Sequence, residues 1–446
     1  MSVFDKKRLG NDVFKLDIER MRRGWYSDKY FANIQGVLSS LAEQGYTYAG
    51  EHARALPFPA QGIPTGDIYV EMQWFTRRTG TTVVVGVDKA LAMLRHCAGF
   101  WDGDTFVETW NSLEVEAVHD GSLVQSEGDA EHVQPVLRVR GRYRDLALLE
   151  TPTLGVLTRG SRVATNVYET LIAARGKPVL FFPARFDPHE LQAADGYAYN
   201  LAVQRFNLDT SGRLGPFVST DAQGDWWGGA GGGTVAHAAI ASFLGDTAEA
   251  MWAFAATLPP EIPRIALVDF NNDSVRDSLT TVERMFRHYR QRLLAGDESD
   301  ARRYVLFGVR LDTSSSIRDV NVPPVGDPAL DLGVNPRLVF AVRQALDHAW
   351  ESWDLPPAWR DRARDYCRAI KIVVSGGFTA ERIRQFEHLA VPVDIYAVGS
   401  ALFANAGPTV TDYTADVVRV QVAGSWYPMA KVGRARGENP DLERVR

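Results

Sequence analysis

From about residue 151 onward the chain repeats one unit, a short and nearly continuous apolar run ending in glycine or a polar residue, followed by a helix-forming stretch. The runs are "KPVLFFPAR", "GPFVSTD", "RIALVDF", "YVLFGVRLD", "IKIVVSGG" and "VDIYAVGS". Apolar and β-branched residues at successive rather than alternate positions suit strands buried on both faces. The stretches between them include "LQAADGYAYNLAVQRF", "SVRDSLTTVERMFRHYRQRLLAG" and "AERIRQFEHLA". Strand and helix in alternation mean an α/β fold with a parallel sheet, and the polar strand ends suggest an irregular parallel (β/α) barrel over residues 151–407. An open doubly wound sheet is the alternative.

The part before this repeat mixes signals. "YFANIQGVLSSLAEQG" and "KALAMLRHCAGF" read as helices, and "DIYVEMQWFTRR", "TTVVVGVD", "SLEVEAVHDGSLV" and "PVLRVRGRY" as strands. Residues 1–150 are therefore expected to form an α+β domain. The segment 408–446 returns to strand signals in "DVVRVQVAGSWYP" and is expected to pack back on it.

The totals narrow the function. A chain of 446 residues, 45% hydrophobic and 23% charged, holds two or three ordinary domains. A net charge of −6 gives no electrostatic reason to expect nucleic acid, although a local basic pocket can still hold phosphates. Cys97 and Cys367 stand far apart without metal-ligand spacing, so neither a disulfide framework nor a zinc site is expected, and a reducing cytoplasm fits. No segment approaches about 18 consecutive apolar residues and "MSVFDKKRLGNDVFKLDIERMRRG" has no apolar leader core, so neither membrane span nor export is expected.

In a parallel barrel, side chains at the carboxyl ends of strands and in the following loops meet at one mouth. That rule selects Arg185, Asp269, Arg310, Asp312, Gly376, Gly377, Gly399 and Ser400. Phe182 and Phe186 flank Arg185, offering apolar faces and one forked cation to a flat aromatic acid. Arg310 and Asp312 alternate along a strand, so both point to one face, as a structural ion pair or as a clamp for phosphate and ribose. "SGG" and "VGS" put backbone amides near helix starts, at the last two strands, where barrels often bind phosphate. Asp269 could cap the helix begun by "NDSVRDSL" or orient a histidine ring.

"GGGTVAHAAI", residues 231–240, sets glycines ahead of a histidine in a helix-forming run. Thr234 can cap that helix, which places His237 in its first turn, where the helix dipole favours an anion. The other reading is a partly buried core histidine packed with Ile240, Ala241 and Leu244.

Taken together, these segments resemble the nicotinate phosphoribosyltransferase family, in its archaeal-like branch, over nearly the whole chain. "YSDKYFANIQGVL" is similar to that branch's N-terminal helix, "LETPTLGVLTRGSRVATN" to its entry to the barrel, and "PARFDPHE" to its arginine loop. "GGGTVAHAAI", "GVRLDTSSS" and "IVVSGGFTAERIRQF…VDIYAVGSAL" resemble its histidine and phosphate segments in the same order. The resemblance implies transfer of phosphoribose from 5-phosphoribosyl-1-pyrophosphate to nicotinate, with Mg2+ and with ATP as co-substrate. His237 would carry a transient phosphoryl group, with Asp269 fixing its tautomer. Arg185 would hold the nicotinate carboxylate, and Phe182 and Tyr30, the latter from a second subunit, would sandwich the ring, with Thr234 alongside. Arg310 and Asp312 would hold the phosphoribosyl pyrophosphate, and Ser375, Gly376, Gly377, Gly399 and Ser400 its 5-phosphate. A homodimer with shared active sites, and no metal held by the protein alone, go with that reading. The same fold also admits nicotinamide or quinolinate as substrate, or a catalytically silent nucleotide-binding homologue. The chain departs from the branch at Phe186, where relatives often have a second arginine, in "GDWWGGAGGGT", and at Ser400, often threonine. The loop "SIRDVNVPPVGDPALDLGVNP" is longer than expected and could be a lid.

Overall fold

The computed structural model describes residues 7–53, 55–129 and 131–446. They divide into two compact units, one comprising the chain through Tyr168 with Tyr197–Ser211 and Phe403–Arg446, the other Glu169–Gly196 with Gly212–Leu402. The first division falls inside the helix Glu150–Ala173.

The second unit carries the repeat. Five parallel strands pair in the order Val179–Phe181, Ile395–Val398, Lys371–Val374, Gly308–Leu311, Ile265–Leu267. Parallel bridges from Phe181 to Val218 and from Val218 to Gly231 continue the ladder on the other side. Around the ring the segments thus follow chain order, and the last strand pairs with the first through Tyr396 with Val179 and Val398 with Phe181. That pairing separates a barrel from a doubly wound sheet, whose strand order reverses in the middle. The fold is accordingly an α/β barrel, irregular because the run "GPFVSTD" contributes only the bridge at Val218 and because no ladder joins Gly231 to Ile265. Leu180, Ile265, Val373, Ile395 and Ala397 fill its interior.

The first unit holds a six-stranded antiparallel sheet in the order Ser425–Pro428, Tyr413–Val422, Tyr69–Thr76, Leu137–Arg142, Glu114–Ala117, Glu443–Arg444. Three strands of the segment 408–446 lie in this sheet. One face buries Val70, Met72 and Trp74 against the helix Val87–Cys97. On the other face Glu71 is fully buried, with Arg140 and Arg419 as its cross-strand neighbours and Arg436 reaching it at 2.7 Å. Burial alone would raise this carboxyl, but hydrogen bonds from Arg419, Arg140 and Arg436 outweigh it and hold Glu71 at about 2.

A pKa lowered on folding adds stability that is complete above the unfolded value and disappears as the pH falls through the folded one. From an unfolded value of about 4.3, the shift is worth about 3 kcal/mol. Glu71→Gln should therefore lose about 3 kcal/mol at pH 7, in line with the loss of one partner of a buried ion pair, and progressively less toward pH 3. Urea denaturation at both pH values checks this, and an unchanged midpoint at pH 7 would contradict it.

No helix among the described residues is long and apolar enough to cross a membrane.

Candidate active site

Register determines what faces the barrel mouth. Val373 and Ile265 point inward, and they are register partners or near neighbours of Arg310, through Arg310 with Val373 and Gly308 with Ile265. Arg310 therefore faces the interior, while Val309 and Leu311 on either side of it are fully buried on the opposite face. Two residues beyond the inward positions Leu180, Leu267, Arg310, Val373 and Ala397 come Phe182, Asp269, Asp312, Ser375 and Gly399. Side-chain alternation brings these five, from five different strands, to one rim at the carboxyl ends.

His237 opens the six-residue helix His237–Ser242 in the connection across the unpaired gap of the ring. The expected cap is not formed. Ala236 holds the N-cap position without a side-chain hydrogen bond, and the Thr234 hydroxyl lies 3.5 Å from the Val235 carbonyl, because the two residues between Thr234 and the helix place its oxygen short of the helical amides. His237 is not a core residue either. Its side chain is 46% exposed, whereas Asp269 opposite is 8% exposed. The imidazole Nε2 stands 3.1 and 3.2 Å from the two oxygens of Asp269. Burial pushes the Asp269 carboxyl up, against the hydrogen bond from His237, and the nearby Asp312 pushes it further up. The helix Ser274–Leu294 is capped by Asp273, which leaves Asp269 to the histidine.

Arg310 donates from Nη2 to the Val235 carbonyl at 3.2 Å, tying the strand to the histidine segment. Its guanidinium lies 6.0 Å from the Phe182 ring centroid, and its buried Nε has no hydrogen-bond partner. Burial lowers its pKa, Asp312 and Asp269 oppose that, and Arg185 adds to it, so all four charges share one neighbourhood. Asp312 does not form the structural ion pair with Arg310. It accepts instead from the Ser375 hydroxyl at 2.7 Å. Phe182 packs at 6.1 Å on Phe217, and Arg185 lies 5.5 Å from the centroid of Phe186. The Phe186 ring sits directly on Gly399, where a β-carbon would approach it to 2.8 Å, so a side chain at 399 would displace it.

Gly376 and Gly377 both take left-handed φ, +86° and +74°, a conformation costly for residues with a β-carbon. They precede Thr379, which caps the helix Ala380–His388. Ser400 is exposed at the start of the single turn Ser400–Phe403.

The barrel mouth thus brings together Phe182, Arg185, His237, Asp269, Arg310, Asp312, Ser375, Gly376 and Gly399. Tyr30 belongs to the first unit, where it is 62% exposed and its hydroxyl donates to Asp28 at 3.2 Å. Two contributors escape sequence reasoning. The Thr313 hydroxyl, beside Asp312, is buried without a partner, and Arg382 donates to the Gly376 carbonyl at 3.0 Å. Both lie within the segments "GVRLDTSSS" and "IVVSGGFTAERIRQF", but nothing in the pattern of those segments marks these two side chains individually. The long loop after Asp312 is pinned at two of its carboxylates. Asp319, fully buried, accepts from the Ser274 amide and hydroxyl at 3.0 and 2.7 Å, and Asp331 accepts from the amides of Val325 and Gly326.

No protein-family model and no curated protein sequence matches the chain. Solved structures do. The nicotinate-nucleotide pyrophosphorylase from Pyrococcus furiosus is similar over 96% of this chain and 84% of that one, with a TM-score of 0.61 and 24% identity. The human nicotinic acid phosphoribosyltransferase is similar over 89% of this chain and 75% of that one, with a TM-score of 0.53 and 18% identity. At these identities the likeness establishes a shared fold.

Proposed function

We propose that the protein is a nicotinate phosphoribosyltransferase, joining nicotinate to 5-phosphoribosyl-1-pyrophosphate and releasing pyrophosphate, with ATP hydrolysis coupled through phosphorylated His237. One observation carries the reading: the His237–Asp269 pair, the inward Arg310 with its unpartnered Nε, and the Gly376–Gly377 turn all converge on one barrel mouth. The fold shared with the two solved proteins supports it.

In the reaction the pyridine nitrogen forms a bond to the anomeric carbon as the carbon–oxygen bond to pyrophosphate breaks. Positive charge develops on the ribose and negative charge on the leaving group. Arg310, held in a partly dehydrated interior, stabilises the departing oxygens more strongly than the same group in water. Arg185 takes the nicotinate carboxylate, Phe182 covers one ring face, and Tyr30 of a second copy covers the other, so the working form is a homodimer in the cytoplasm. Thr234 lines the approach to the ring. Ser375, Gly376, Gly377, Gly399 and Ser400 receive the 5-phosphate. With Nε2–H donating to Asp269, the histidine lone pair is on Nδ1, the atom that accepts the phosphoryl group.

Mg2+ is implied by a pyrophosphate substrate. Among the described residues no group of three or more metal-ligating side chains occurs, while the neighbouring carboxylates Asp269 and Asp312 suit an ion bound mainly through substrate phosphates and water. Asp312 would hold that ion's water, and the ion would balance leaving-group charge.

The test is to incubate the protein with phosphoribosyl pyrophosphate and nicotinate, nicotinamide or quinolinate, with and without ATP. Mononucleotide from nicotinate, increased by ATP, is expected. Product only from another pyridine would move the assignment to that substrate, and no product from any would leave a silent homologue. Arg185→Ala should raise KM for nicotinate by about ten- to a hundredfold, as loss of a charged hydrogen bond does, with little change for phosphoribosyl pyrophosphate. Equal losses for both substrates would contradict the carboxylate role.

A further inference from the structure

Arg382 is a half-buried cation placed behind the glycine turn. It occupies the first turn of the helix Ala380–His388, where its own backbone amide is capped by the Thr379 hydroxyl at 3.2 Å. Its side chain does not extend to solvent as a helix-surface arginine would. Nη1 donates to the Gly376 carbonyl at 3.0 Å, and Nη2 donates to the Val334 carbonyl at 2.7 Å. The guanidinium lies 4.5 Å from the Phe378 ring centroid and 5.8 Å from that of Phe386. Nη1 is also the nearest atom to a β-carbon built on Gly377, at 4.0 Å.

Among the described residues no carboxylate pairs with it, and burial is what lowers its pKa. The two carbonyls take one donor on each Nη but bring no negative charge, so the guanidinium keeps its full positive charge beside the turn. The turn next to it is where the sugar phosphate is assigned. By taking the Gly376 carbonyl, the guanidinium also keeps that oxygen from facing an incoming phosphate.

We infer that Arg382 is the positioning residue of the phosphomonoester site at Gly376–Gly377, fixing the turn through the Gly376 carbonyl and placing a positive charge behind it. This rests on the reading that the turn receives the 5-phosphate. Its two-carbonyl fork also ties the turn to Val334, at the end of the pinned loop, so the turn is set before ligand arrives.

The test compares wild type, Arg382→Lys and Arg382→Met by calorimetric titration with ribose 5-phosphate and with nicotinate, and by steady-state kinetics. Methionine keeps the contact with Phe378 and Phe386 while removing charge and fork. Arg382→Met should weaken ribose 5-phosphate about tenfold or more, as loss of a charged hydrogen bond does, and raise KM for phosphoribosyl pyrophosphate similarly with kcat within about twofold. Lysine restores charge without the planar fork, so Arg382→Lys should recover part of the affinity, and it serves alone if the methionine variant fails to fold. Nicotinate binding should not change. If wild type itself binds no ribose 5-phosphate, the phosphate reading of the turn fails and this inference with it. If wild type binds and the variants bind equally well, or lose nicotinate to the same extent, the role of Arg382 is overturned while the phosphate reading stands.

Discussion

His237→Ala is expected to abolish ATP-dependent acceleration and any acid-labile phosphoryl label, lowering turnover in the presence of ATP by about 10²-fold or more. The geometry sets both parts of that expectation. The ring is half exposed, so a nucleotide can reach it, and its Nε2 faces Asp269, which leaves Nδ1 for the proposed phosphoryl transfer. Alanine is a good residue for the first position of a helix, and an exposed ring contributes little packing, so the variant should fold. Asp269→Asn should give a smaller loss of the same kind, because an amide still fills the space but no longer fixes the tautomer or stabilises the charged ring. Both variants are read by ATP hydrolysis coupled to pyrophosphate release. Full ATP stimulation in His237→Ala would remove the phosphohistidine from the account.

Arg310→Met should separate activity from stability. Removing a donor aimed at developing charge in a dehydrated site costs about 10²- to 10³-fold in kcat. The same change should leave the free protein as stable as before or more so. In the absence of ligand, Arg310 is a desolvated cation with one hydrogen bond, to the Val235 carbonyl, and an unpartnered Nε, so an apolar side chain of similar volume relieves a desolvation cost against the loss of that one bond. Kinetics and urea denaturation on one preparation test this. A large loss of stability with activity lost only in proportion would mean that Arg310 is there for the fold.

The sequence carried the local half of this picture well. Continuous β-branched runs announced the parallel strands, and alternation placed Arg310 and Asp312 on one face. The polar strand ends suggested a barrel, but only the pairing of the last strand with the first, more than 200 residues apart in the chain, separates it from an open sheet, and local pattern does not encode that pairing. The expected cap at Thr234 failed, and the capping alternative for Asp269 gave way to its pairing with His237, for one reason. Thr234 and Asp269 are both residue types that cap, yet position decides, and Ala236 and Asp273 stand at the helix starts. Asp269 could pair with His237 only because the cap position was already filled. Arg382 was missed because a polar residue in the helix "AERIRQFEHLA" reads as solvent-facing, and only the folded chain shows its guanidinium turned back onto the glycine turn. The likeness to the family supplied roles that neither period nor spacing could.

The most direct test is a crystal structure of the protein soaked with nicotinate and phosphoribosyl pyrophosphate. The account predicts a pyridine carboxylate on Arg185, a 5-phosphate at Gly376 and Gly377, and pyrophosphate oxygens within hydrogen-bond reach of the Arg310 Nε that now lacks a partner. Ligand density away from the barrel mouth, or at the mouth with Arg310 and the glycine turn untouched, would contradict it.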